Sequence, residues 1–416
     1  MYLTRDMEDV LKKCADEFEC TVVFGPRQVG KSTMLQFFGA DNYRVVTLDD
    51  LQNRALARNH PELFFKMFPP PVIVDEIQYA PDLCSYIKMM IDAQRMENLR
   101  TGASRKHLFY LTGSQQFVLQ QSISESLAGR IAVLHLNSFS DAEIAQNRGN
   151  VFNPDISQLL ETQARYLENE RLPVFTRIFR GGMPGIVCDN IDRDRFFTSY
   201  VETYLERDVR SLVGAGVETQ FLSFMMVLAS RTAQELNYSS IADDLNMDMR
   251  TIRRWISILE TSGIIQLIYP YYPNISKRII KSPKLYFMDT GLCTWLSRWP
   301  SAELCESGAM SGAFFETYVV SEMVKSFIHH GKTIEGTLYY YRDKDQREVD
   351  LLYVTHDGII PIEIKKNQTP HNADKHFSAL DKYGTKRYPG VIICRTDRIV
   401  PLNADAYLVP EWLIGR

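Results

Sequence analysis

Gly25-Pro26-Arg27-Gln28-Val29-Gly30-Lys31-Ser32-Thr33 limits what this chain can fold into more than any other stretch. The short β-branched apolar run Cys20–Phe24 before it predicts a buried strand, and residues 32–38 after it predict a helix. A strand that turns through glycines straight into a helix leaves backbone N–H groups at a positive helix end, a cradle for phosphates. On this reading Gly25, Gln28 and Gly30 belong to the cradle for ATP. Lys31 reaches the β and γ oxygens, and the Ser32 hydroxyl goes to Mg2+. Thr33, next in line, is expected to point into the fold.

Further strands are predicted at 43–48, at 71–74, at 108–112 and at 131–136. The second of these empties into Asp75-Glu76, the pattern of a strand-end acid pair beside bound nucleotide. Asp75 is expected to hold Mg2+ through water, and Glu76 to polarise the attacking water. Thr112 or Ser114, after the next strand, is placed to bond that water or the γ-phosphate. Five strands separated by helical stretches predict a doubly wound α/β core with its site at the strand carboxyl ends.

At 416 residues the chain is too long for one core, so two to four domains are expected. Its net charge of −4 advertises no global field for nucleic acid, so any such surface must be local. The seven scattered cysteines form no C-x-x-C pair and read as reduced, mostly buried thiols. No apolar leader and no membrane-length run is present, which predicts a cytoplasmic protein with no membrane partner.

The order of phosphate loop, Val74-Asp75-Glu76-Ile77-Gln78, Leu111-Thr112-Gly113-Ser114 and Ser126-Leu127-Ala128-Gly129-Arg130 resembles a prokaryotic branch of the AAA+ ATPases. Arg180-Gly181-Gly182-Met183-Pro184 and Tyr204-Leu205-Glu206-Arg207-Asp208-Val209 also match that branch. The resemblance implies an ATPase core over residues 1–140, a helical lid over 141–212 and a homo-oligomer, a ring such as a hexamer. Arg130, just before the fifth strand, resembles the arginine finger that completes a neighbour's site; otherwise it closes a turn. Arg207 is a second candidate for a charge that senses nucleotide.

Residues 213–285 read as a winged helix-turn-helix: an apolar helix from Phe221, a second helix started by Ser239 and Ser240, and a third from Asp248 to Glu260. Between Arg250 and Leu285 stand seven basic residues (Arg250, Arg253, Arg254, Lys277, Arg278, Lys281, Lys284) against the one acid Glu260, a difference of +6. That surplus points to DNA phosphates, with Arg250, Arg253, Arg254, Lys277 and Arg278 as contacts. A scaffold with Trp255 in its core is the other reading.

In the last region, 286–416, strands are predicted at 338–341, 348–354 and 359–365, with Asp357-Gly358 as a hairpin turn. Glu363 and Lys365 then share a strand face, and the hairpin brings Asp350 to the same end. This resembles the PD-(D/E)xK nucleases, a restriction-endonuclease-like α/β fold, with Val349 where the name-giving proline would stand. The resemblance implies Mg2+ or Mn2+ on Asp350 and Glu363, Lys365 at the attacking water, and Glu316 as the extra helix acid. Two functions follow: an ATPase coupled to DNA binding and metal-dependent cleavage, or an ATP-dependent switch or scaffold that binds DNA or a protein and cuts nothing.

Overall fold

A computed structural model describes residues 1–114, 119, 123, 125–147, 149–204, 216–272 and 281–416. Arg207, Lys277 and Arg278 lie outside the described residues. The chain divides into two compact units. One comprises Met1–Phe139 with Thr261–Gly263 and Ile328–Lys332; the other comprises Ser140–Glu260, Ile264–Phe327 and Thr333–Arg416.

The first unit holds five strands: β1 (Cys20–Phe24), β2 (Arg44–Thr47), β3 (Val72–Asp75), β4 (Phe109–Gly113) and β5 (Ile131–His135). They form a parallel sheet in the order β2-β3-β4-β1-β5. Every residue of β1, β3 and β4 is buried, which is why these strands read as unbroken apolar runs rather than alternating ones. Val22, Phe24, Val72, Val74, Phe109 and Leu111 form the core against Ile87 and Ile91 of the helix Leu83–Thr101. That helix stops at Gly102, whose φ of 70° is a left-handed cap. Because β4 lies between β1 and β3, the carboxyl ends of these three strands stand side by side. The strand order reverses around β1, and crevices for ligands form at such a reversal.

In the second unit the helices Glu218–Ser230, Tyr238–Leu245 and Met249–Thr261 accompany a three-stranded antiparallel sheet. Its order is β6 (Gln234–Glu235), β8 (Lys284–Phe287), β7 (Ile265–Ile268). The second of these helices is capped by Asn237, whose side chain accepts from Ser240 N, and not by the serines themselves. Trp255 is 1% exposed, its ring 4.9 Å from Phe221 and 5.3 Å from Phe224. Burying a side chain of this size contributes about 3 kcal/mol, so Trp255 belongs to the core.

Helices also run over Asp141–Ile144, Ile156–Tyr166, Val174–Arg180, Pro184–Val187 and Arg193–Tyr204. The glycines at 181 and 182 do more than interrupt helices. Asp289 caps the helix Thr290–Leu296 at Leu292 N and also accepts from Gly182 N at 2.9 Å. A Cβ on Gly181 would meet that carboxylate at 2.5 Å.

A six-stranded mixed sheet completes the unit, in the order β13-β14-β12-β11-β10-β9. The strands are β9 (Leu338–Arg342), β10 (Glu348–Val354), β11 (Ile359–Ile364), β12 (Gly390–Cys394), β13 (Val400–Asn403) and β14 (Ala406–Pro410). The helix Ser311–Ile328 is buried along most of its length. All seven cysteines are free thiols, and all but Cys188 are buried. Among the described residues no helix is long and apolar enough to cross a membrane.

Candidate functional site

The phosphate loop runs from β1 into the helix Lys31–Gly39. Gly25 has φ 150°, and a Cβ there would stand 1.9 Å from Leu136 O, so only glycine fits against the chain after β5. Gln28 and Gly30 are left-handed, at φ 59° and 92°, which turns the loop back toward the helix start. Lys31 is buried, and its ammonium donates to Gly25 O at 2.9 Å and Pro26 O at 2.7 Å. The loop is also clasped by Arg5, which sequence reading missed. Its guanidinium donates to Val29 O at 2.9 Å and Asn137 O at 2.7 Å, and lies 4.3 Å from the Phe139 ring centroid. Nothing near Arg5 in the sequence announces a partner more than 130 residues away.

Ser32, Asp75 and Thr112 meet at the carboxyl ends of the strands. Ser32 Oγ donates to Asp75 Oδ1 at 2.5 Å, and Thr112 Oγ1 donates to the same oxygen at 2.6 Å. Thr47 Oγ1 reaches Asp75 Oδ2 at 3.3 Å. Thr112 also accepts from Glu76 N at 2.9 Å, fixing the two acids relative to one another. Glu76 has φ 58°, a left-handed conformation costing a residue with a Cβ about 1 kcal/mol. Its carboxylate accepts from Ser114 Oγ at 3.2 Å and from Gln78 Nε2. Gln78, given no role from sequence, is 6% exposed and also donates to Ser114 Oγ at 3.1 Å. Thr33 is exposed, contrary to the expectation that it points into the fold. It follows Ser32 on the first helical turn, where the side chain leaves the loop's concave face.

Arg130 is paired within its own chain. Its Nε lies 2.7 Å from Asp92 Oδ1 and its second nitrogen 3.1 Å from Asp92 Oδ2, a two-pronged contact. The pair is partly exposed.

A second cluster gathers in the other unit. The β10–β11 register pairs Leu351 with Ile362, so Asp350 and Glu363 stand beside each other. Ile364 N donates to Asp350 Oδ2 at 2.8 Å. Lys365 Nζ bridges the two acids, 2.5 Å from Glu363 Oε1 and 3.3 Å from Asp350 Oδ2. Burial first, and Asp350 second, push the Glu363 carboxyl up to about 8 despite Lys365.

Glu316 comes from the helix Ser311–Ile328, and Tyr286 OH donates to its Oε1 at 2.7 Å. Lys284 enters the same cluster from β8, 3.2 Å from Glu316 Oε1, 2.6 Å from Glu348 Oε1 and 4.0 Å from Asp350 Oδ1. Glu316, Asp350, Glu363 and Lys365 are therefore brought together. Lys284, Tyr286 and Glu348 were not expected there. Among the described residues no three His, Cys, Asp or Glu side chains are grouped to hold a metal ion.

Lys284 also corrects the basic surplus: it is 3% exposed and belongs to this cluster, not to a surface. Its two-residue spacing from Tyr286 on one strand was the available signal, since both face Glu316. Arg250, Arg253 and Arg254 are exposed, and Arg253 lies 4.3 Å from the Tyr238 ring centroid. Exposed Asp243, Asp244 and Asp248 precede them, and Asp244 pairs with Arg231, so the surface carries both signs.

Residues 17–145 match the AAA domain family; residues 173–303 and 311–413 match two domains of unknown function (DUF8612 and DUF4143). An uncharacterized protein of Mycobacterium tuberculosis is 25% identical over 412 residues, covering 97% of this chain and 84% of that protein. Another, from Methanocaldococcus jannaschii, is 23% identical over 332 residues, covering 69% of this chain and 66% of that one. Among solved structures, the Walker-type ATPase of Pyrococcus abyssi overlaps 70% of this chain and 94% of its own, at 15% identity and a TM-score of 0.41. The N-terminal third of the chain is thus similar to P-loop ATPase domains of the AAA type.

Proposed function

We propose that this chain hydrolyses ATP and uses the cycle as a switch. The observation that carries the reading is the contact of Ser32 and Thr112 with one oxygen of Asp75, beside a glycine loop ending in Lys31. A hydroxyl and a carboxylate at 2.5 Å are the oxygen donors that Mg2+ takes from a P-loop protein, and the ion there would neutralise charge building on the β and γ oxygens. Lys31 exchanges its two loop carbonyls for those oxygens. Glu76, oriented by Ser114 and Gln78, polarises the attacking water. Arg130 is the candidate for a charge supplied to a neighbouring subunit in a ring, after release from Asp92. Phosphate release from ATP and Mg2+ tests the core of this reading. Lys31→Ala is expected to lower it by roughly 100-fold or more; unchanged release sinks the proposal.

A second reading, a winged helix that binds DNA joined to a nuclease-like domain, draws support from the convergence of Glu316, Asp350, Glu363 and Lys365 from separate elements. The acids offer the hard oxygen donors of a Mg2+ or Mn2+ site, but Lys284 and Lys365 already bridge them.

A further inference from the structure

Four carboxylates in the second unit, those of Glu316, Glu348, Asp350 and Glu363, are linked to one another through two ammonium groups. Lys365 is the expected one, on the same strand edge as Glu363 and 40% exposed at its side chain. Lys284 is different. It comes from β8, outside the six-stranded sheet, and its side chain is 4% exposed. Its ammonium contacts Glu316 on the buried helix at 3.2 Å and Glu348 on β10 at 2.6 Å, and lies 4.0 Å from Asp350 on the same strand. Asp350 has a lysine on each side, with Lys284 at Oδ1 and Lys365 at Oδ2.

We propose that Lys284 is a tethered cation that fills this acid cluster and keeps a divalent metal ion out of it. A buried lysine is tolerated only where carboxylates compensate it, and these acids do so by position. Burial alone would favour the neutral amine; Glu316 foremost, with Asp350 and Glu348, outweighs it and holds Lys284 charged. The competitor for the same oxygens is a divalent cation. It must displace an ammonium that is covalently held by its strand, at a local concentration no dissolved ion matches. Strand β8 is itself pinned on both sides, by β6 and by β7, so the side chain cannot withdraw without movement of that sheet. Cleavage chemistry at Asp350 and Glu363 is therefore off in this arrangement.

The inference rests on the second reading above only in taking the acids as able to hold a metal. Mn2+ binding to the full chain without nucleotide tests it, in an Asp75→Asn background that removes the nucleotide-site metal. Wild-type Lys284 should give no saturable binding at this cluster below millimolar Mn2+. Lys284→Met should gain one site at least about tenfold tighter, and adding Asp350→Asn should abolish it. Lys284→Arg keeps the charge and should exclude the ion as wild type does. Glu348→Gln removes the nearest partner of Lys284 at a half-buried position. It should admit Mn2+ to an intermediate degree, and it carries the test if Lys284→Met does not fold. Equal binding by wild type and Lys284→Met overturns the tethered-cation proposal and leaves a metal site standing. No binding by Lys284→Met or Glu348→Gln overturns both.

Discussion

The two polar sites of this chain are built on opposite principles. At the phosphate loop the recognition groups are mostly backbone, and a left-handed run of Gln28, Gly30 and the tightly packed Gly25 sets their direction. Its one ammonium rests on loop carbonyls that a phosphate can replace. In the acid cluster of the second unit the groups that meet are mostly side chains, and two lysines lie among the acids. An arrangement whose cation reaches loop carbonyls can pass that cation to an anion entering the loop. An arrangement whose acids already hold lysines is poised to stay as it is.

A single methyl group should break the first site. Gly25→Ala forces a Cβ into Leu136 O and a strained φ, so ATP turnover should fall to background and stability by about 1–3 kcal/mol. Nucleotide titration and urea unfolding check both, and normal ATP binding would show that the loop is not held as described.

Arg130 sharpens the contrast from another side, because its partner Asp92 is half-exposed and the pair is worth at most about 1 kcal/mol. If Arg130 serves a neighbouring subunit, Arg130→Ala should lower turnover by about 10³-fold with ATP binding intact. Asp92→Ala should leave turnover in place. Equal losses in the two variants would make the pair purely structural.

The second site should declare itself through pH. The Glu363 carboxyl is raised from its ordinary 4.5 to about 8, so between those values the folded chain holds a proton that the unfolded chain has released. Stability should therefore fall as pH rises through that window, and Glu363→Gln should flatten the decline. Unfolding curves at pH 5 and pH 8 measure it; a decline unchanged in the variant assigns it elsewhere.

The smallest effect concerns the exposed arginines. Replacing Arg250, Arg253 and Arg254 together should reduce the salt slope of any DNA binding by about 0.9 for each phosphate these side chains neutralise. With Asp243, Asp244 and Asp248 close by in sequence, an unchanged slope would leave this surface without a role in binding nucleic acid.

How far each site can be read from sequence follows from the same difference. The phosphate loop lies in one continuous stretch, and buried β1 and β3 supply the flanking apolar runs, so Lys31, Ser32, Asp75 and Glu76 stand out. Strand positions fell within about two residues because these parallel strands are apolar on both faces. Gln78 and Arg5 did not stand out, since their partners come from β4 and from the chain after β5. The hairpin around Asp357-Gly358 gave away Asp350, Glu363 and Lys365 together. Lys284 was harder to place, because a lysine in a short strand reads as a surface charge, and only its two-residue spacing from buried Tyr286 pointed inward. The serines at 239 and 240 misled for a local reason: Asn237 is an equally good cap and stands earlier.

Arg5 carries a practical consequence for anyone who handles the protein. Its guanidinium ties the loop at Val29 to the chain after β5 at Asn137. A label or substitution placed beside Arg5 therefore pulls on both at once, and a turnover rate measured with it reports on that clasp as well as on the phosphate loop.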